Sequence, residues 1–187
     1  MVQYQPPAGA RGSSWARPTV SVPTELQHPL PKVDVCIAIG GEWSFRTYDH
    51  WLPIVSSLAS QGYSVSLVGS ENGAQKARKI QEEVPSVRST VGKLSVREVV
   101  SEIATAKIFI GADGGLWHIA CAIPIPTVVL FADCQIFDED GSRVTRETKD
   151  MICEILYDDG EVCNISPSSV IEAFERLKSW VGLRLGS

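Results

Sequence analysis

From Val33 onward the chain alternates short β-branched runs, several of them ended by glycine, with longer amphipathic stretches, and this pattern limits the fold more than any other feature. Val33-Asp-Val-Cys-Ile-Ala-Ile39 reads as a strand closed by Gly40-Gly41, and Ser64-Val-Ser-Leu-Val68 as a second closed by Gly69. Between them Trp51, Ile54, Val55 and Leu58 keep helical spacing, and Gln61-Gly62 supplies the stop. A helix over 74–83, a short strand near Val87 and a helix over 95–104 follow; Ser95 with Glu98 three residues on has the capping-box form. Lys107–Gly111 is an apolar strand, Leu116–Ala122 a short helix, and Thr127–Phe131 another strand. Ser166-Pro167 opens a last helix with proline just inside its start. Strands alternating with helices predict an α/β domain over residues 33–187, built on a single Rossmann-like, doubly wound parallel sheet.

Residues 1–32 differ in kind. They hold six of the eleven prolines, with Gly and Ser between them and almost no aliphatic periodicity. Such a segment cannot bury enough apolar surface to offset its ordering entropy, so an extended or disordered arm is expected, with Tyr4 and Trp15 as its only docking groups. The first residues carry neither a basic nor an apolar leader, so no signal peptide is expected.

Charge and cysteine usage exclude other classes. Lys and Arg number 17 against 22 Asp and Glu, a net charge of -5, which disfavours a nucleic-acid partner. No apolar run reaches the roughly 18 residues of a membrane span; the longest, Ile119–Ala132, is broken by Pro124 and Pro126. Cys36, Cys121, Cys134, Cys153 and Cys163 are scattered and odd in number, against both a zinc site and a disulfide framework. They read as small buried hydrophobes in a reducing cytoplasm. Asp138-Glu139-Asp140 reads as a solvated loop rather than a metal site, Trp51 and Trp117 as core, and neither His28 nor His50 has a partner legible in the sequence.

In an open parallel sheet ligands bind at the carboxyl ends of the strands, close to where strand order reverses. Those ends carry Gly40-Gly41-Glu42, Gly69-Ser70-Glu71, Gly111-Ala-Asp113-Gly114-Gly115 and Ala132-Asp133-Cys134. The third group is the most informative. Two glycines let the backbone approach a ligand, and the first amides of the following helix suit a diphosphate, with His118 in reach of the same anion or of Asp113. A purely structural alternative stands beside it: Asp113 caps the helix, the glycines make the turn, and His118 is an ordinary helical residue.

The stretch Gly111-Ala-Asp-Gly-Gly-Leu-Trp-His-Ile-Ala-Cys-Ala-Ile-Pro-Ile-Pro-Thr-Val-Val-Leu-Phe131 resembles the signature of family 9 glycosyltransferases, the ADP-heptose:lipopolysaccharide heptosyltransferases. Gly92-Lys-Leu-Ser-Val-Arg-Glu98, Arg46-Thr-Tyr48 and Cys163-Asn-Ile-Ser-Pro-Ser-Ser-Val170 are similar to further segments of that family, so the resemblance covers residues 33–180. It implies one half of a GT-B architecture, the C-terminal half that holds a nucleotide-diphosphate sugar, either an ADP- or a UDP-sugar, with no other cofactor. Carried over by position, Asp113, Gly114, Gly115 and His118 match residues near the diphosphate and sugar. Arg46 matches a basic residue that neutralises phosphate, and Glu71 an acid at the ribose or base. Gly114 stands where the family has Ser or Thr, and Ala132-Asp133 where a glycine follows the strand-closing Phe. The acceptor half and its general base are not found in this sequence, so no catalytic residue is assigned. Two readings follow: the donor subunit of a split glycosyltransferase, completed by a second chain or by self-association, or a non-catalytic nucleotide-binding or structural subunit anchored through its arm.

Overall fold

The computed structural model describes residues 19–23, 30–123, 125–132 and 152–182. Most of the expected arm, His28, Pro124, Asp133, Cys134 and the acidic run 138–140 lie outside the described residues. Six parallel strands, β1 (Val33–Ala38), β2 (Val65–Val68), β3 (Arg88–Ser89), β4 (Ala106–Ala112), β5 (Thr127–Ala132) and β6 (Cys153–Asp158), form one sheet in the order β3-β2-β1-β4-β5-β6. Order reverses at β1, which pairs with β2 on one side and β4 on the other, in register from Val33↔Ala106 to Ile37↔Ile110.

Period-2 alternation decides which helices cover which face. Val35, Ile37 and Ile39 of the β1 region, Ile108 and Ile110 of β4, and Val128 and Leu130 of β5 share one core with α1 (Trp51–Ser60), α2 (Ala74–Glu83) and α5 (Pro167–Val181). Cys36, Ala38, Phe109, Val129 and Phe131 face the other way, onto α3 (Val96–Ala104) and α4 (Gly115–Ala122). The Rossmann-like, doubly wound expectation holds, and so does the capping box: the Ser95 hydroxyl accepts from the Glu98 amide while the Glu98 carboxylate accepts from the Ser95 amide. Pro167 stands at the start of α5, with Ser166 as its cap. Trp51 and Trp117 are core, and His50 sets its ring edge-on to Tyr48 at 5.5 Å. The strand β6 was not anticipated. It is an edge strand whose Glu154 and Asp158 interrupt the apolar pattern, and only Leu156 is fully buried.

Two close approaches fix the loops at the carboxyl ends of β1 and β2. Gly40 has φ +109°, a left-handed value that favours glycine, and the Gly41 carbonyl accepts from Asn72 Nδ2 at 3.0 Å. Gly69 packs so tightly on the end of β1 that a Cβ there would run into the Ile39 carbonyl oxygen. Gly69→Ala should therefore destabilise the domain by about 1–3 kcal/mol, visible as a lower denaturation midpoint; an unchanged midpoint would mean that the loops separate freely.

Hydrogen bonds from Ser95, first by its side chain and then by its backbone, hold the Glu98 carboxyl below the usual carboxylate range. A depressed folded-state pKa gives stabilisation that is present above the unfolded value of about 4.3 and lost as pH falls through the folded value. Amide exchange in the first turn of α3 should rise in that acid window, and Glu98→Gln should remove the pH dependence there.

Candidate functional site

A cleft of about 580 Å³ opens at the carboxyl ends of β1, β2 and β4, where strand order reverses. A pocket of this size is in the ordinary range for a small-molecule site. Its floor is Ile39, Gly40 and Gly41 after β1, Gly69 and Ser70 after β2, and Ala112 to Gly115 after β4.

The charged centre of the cleft is Asp113 with Arg46. The Asp113 amide donates to the Leu130 carbonyl at 2.9 Å, which holds the residue at the end of β4, and its carboxylate is fully buried. Arg46 Nη1 lies 3.6 Å from Asp113 Oδ2, and the guanidinium rests over the Phe45 ring at 5.3 Å. Arg46 Nε is buried and has no hydrogen-bond partner among the described residues, while the side chain as a whole is 28% exposed and lines the cleft. Arg46 ends a 3-10 turn, Ser44–Arg46, whose backbone is fixed by Arg46 N donating to the Trp43 carbonyl at 3.0 Å and Thr47 N to that of Ser44 at 3.0 Å. The basic residue read from Arg46-Thr-Tyr48 thus reaches the site through a turn not anticipated from the sequence.

Gly114 and Gly115 line the cleft at the start of α4. Gly114 is the N-cap residue and no side chain caps this helix, so the reading of Asp113 as its cap is corrected: the carboxylate turns to Arg46 instead. The backbone of Gly114 is extended, with φ 168°, and a Cβ there would meet only the Ala112 carbonyl oxygen at 4.0 Å; at Gly115 it would meet nothing within 4 Å. Neither glycine is required by local conformation. What the pair provides is open space above the first amides of α4, in which an anion can approach the backbone.

Two expected residues stand off the cleft wall. His118, fourth in α4, does not line it; its Nε2 is 4.0 Å from Asp113 Oδ1 and its side chain is 38% exposed. Glu71 is exposed and lies beside Gly92, because the 3-10 turn Glu71–Gly73 that it opens presents Ser70 and Asn72 to the cleft. Glu42, Trp43, Leu94 and Val96 also line it, and of these only Glu42 stood among the strand-end residues marked in the sequence. The available signal was an aromatic residue two positions after a strand-ending Gly-Gly, with no strand or helix periodicity to draw it into the core. Among the described residues no group of three His, Cys, Asp or Glu side chains could hold a metal ion.

Residues 20–136 match the family described as "Glycosyltransferase family 9 (heptosyltransferase)". Lipooligosaccharide heptosyltransferase 2 of Haemophilus influenzae is 30% identical over 87 residues, which are 44% of this chain and 25% of that protein. The structure of E. coli ADP-heptose lps heptosyltransferase II superposes with a TM-score of 0.65 at 21% identity, over 81% of this chain and 48% of that one. An E. coli heptosyltransferase with ADP-2-deoxy-2-fluoro heptose gives 0.63 at 17% identity, over 78% and 44%. The chain spans about half the length of these solved structures.

Restoring a hydroxyl at position 114 tests the open-space reading. Gly114→Ser should leave stability within about 0.5 kcal/mol of the parent by chemical denaturation. A larger loss would show that the glycine is held by packing.

Proposed function

Because the chain belongs to glycosyltransferase family 9, we propose that its cleft binds the diphosphate of a nucleotide-sugar donor, an ADP-sugar such as ADP-heptose first and a UDP-sugar second. The observation that carries this reading is the Arg46 side chain, 28% exposed, lining the same cleft as Gly114 and Gly115 at the start of α4. A diphosphate is the ligand class that uses both: the guanidinium donates in a planar fork, and the helix start offers backbone N–H groups at the positive end of its dipole.

Each residue then has a role. Arg46 binds phosphate oxygens. Asp113 fixes the guanidinium from behind and, being fully buried, does not compete for the open side of the cleft. His118 acts through Asp113 rather than on the donor. Ser70 and Asn72, rather than Glu71, face the ligand at the end of β2. In sugar transfer the bond from the anomeric carbon to the terminal phosphate oxygen breaks, and negative charge grows on the departing diphosphate. Arg46 and the start of α4 are placed to stabilise that charge as it develops.

Transfer also needs a base within hydrogen-bond reach of the acceptor hydroxyl. That group and the acceptor surface belong, in this proposal, to a second Rossmann-like half facing the cleft, on whichever stretch of polypeptide or second copy it resides. The cytoplasm is the proposed compartment, supported by Cys36, Cys153 and Cys163, which are thiols among the described residues. Burial pushes the Cys36 and Cys153 thiols up to about 12, which keeps them unreactive.

Thermal denaturation of the full chain with ADP-heptose tests the reading. At 100 times its dissociation constant the donor should stabilise the fold by about 2.7 kcal/mol. Arg46→Ala, which removes a charged donor worth about 1.5–3 kcal/mol, should weaken binding by about ten- to a hundredfold. No stabilisation by any ADP- or UDP-sugar would contradict it.

A further inference from the structure

We propose that Trp43, with Glu42, forms the platform on which the transferred sugar of the donor lies, an inference that rests on the diphosphate reading above. Trp43 is 61% exposed although it lines the cleft. Its backbone is nonetheless fixed: the Trp43 carbonyl accepts from the Arg46 amide at 3.0 Å and from Thr47 Oγ1 at 2.9 Å. Its ring meets Phe45 at 6.3 Å, and Phe45 in turn carries the Arg46 guanidinium. A large aromatic face is thus presented to solvent on a rigid turn, three residues from the phosphate-binding arginine.

The linear order of a nucleotide sugar decides which part meets it. Base and sugar leave the diphosphate in opposite directions. One flank of the cleft is Leu94, Val96 and Val99 around α3, together with Ser70 after β2; it is mostly apolar, and α3 packs on β2, β4 and α4. The other flank is the turn that carries Trp43. It leans the opposite way, packing against β5 and the 3-10 turn Val162–Asn164 that follows β6, and the Cys163 thiol donates to the Thr47 carbonyl at 3.0 Å. With the phosphates between Arg46 and the start of α4, one end of the donor runs toward α3 and the other toward Trp43.

Chemistry assigns the ends. The α3 flank offers aliphatic side chains and no carboxylate, which suits a flat base. The Trp43 flank pairs an aromatic face with the carboxylate of Glu42, which also lines the cleft. A pyranose needs this combination: its C–H face is apolar and packs on an aromatic ring, while its hydroxyls donate to a carboxylate at the edge. Trp43 is 61% exposed, which leaves an acceptor room to reach the anomeric carbon.

The test is a comparison of two ligands by calorimetry on the full chain, ADP-heptose and ADP. Trp43→Ala should weaken ADP-heptose by about tenfold and leave ADP within about twofold. Trp43→Phe should restore most of the lost affinity and Trp43→Leu should not, since the ring face rather than apolar bulk is the contact; near-identical melting temperatures confirm that these exposed-site variants fold. Glu42→Gln should weaken ADP-heptose alone. Equal losses for both ligands in Trp43→Ala would place the ring on the nucleotide, and unchanged affinity for both would leave it without a ligand contact; either overturns the proposal while the diphosphate reading stands. A parent chain that binds neither ligand overturns both.

Discussion

The pairing of β1 with β4 is the constraint on which the rest of the structure depends. Chain order takes β1 to β2 and β3 on one side of the sheet, and the next strand returns to the other side of β1. Right-handed crossovers then require α1 and α2 to lie on one face and α3 and α4 on the other. No described helix or strand covers the carboxyl edge between the two sets of helices, and a crevice opens there. The register that puts Ile37 opposite Ile110 also brings Gly40 and Gly41 alongside Asp113 and Gly114. The site is a consequence of strand order, and its residues are those that the strands happen to end on.

Electrostatics sharpens that crevice. A carboxylate as buried as that of Asp113 is costly unless a cation compensates it, and Arg46 does so at 3.6 Å, too long for a strong hydrogen bond. The arrangement leaves part of the guanidinium side chain, 28% exposed, open to the cleft. A phosphate can take up those donors without displacing Asp113, so the acid holds the arginine in place for its ligand. The cleft is in this sense organised before anything binds, which reduces the ordering cost of association.

The strands and helices were legible in the sequence where periodicity and end signals agreed: the β-branched runs of β1 and β4, the capping box at Ser95, the Ser166-Pro167 start of α5. The strand β6 was not, because Glu154 and Asp158 interrupt its apolar pattern and edge position leaves most of it half-buried. At the cleft, the Asp113-Gly-Gly turn and Arg46 were legible as chemistry, through residue type and resemblance. Their mutual geometry was not, since it depends on a 3-10 turn with no periodicity. Glu71 and His118 were marked by residue type and neighbourhood; Glu71 sits in a 3-10 turn and His118 within α4, and neither lines the cleft. Trp43 escaped for the opposite reason: its one signal, a place just past Gly40-Gly41 outside any periodic run, gives no chemistry until the fold puts it on the cleft.

The central claim is that the β1–β4 crevice takes the diphosphate. Backbone amide chemical shifts of the full chain, recorded by NMR during titration with ADP, test it most directly. ADP bound in the crevice should shift amides at residues 40–46 and 113–116 and leave the carboxyl end of β6 and the opposite edge of the sheet unmoved. Shifts confined to the opposite edge, around Asp34, Ser64 and Lys107, or no shifts at millimolar ADP, would contradict it.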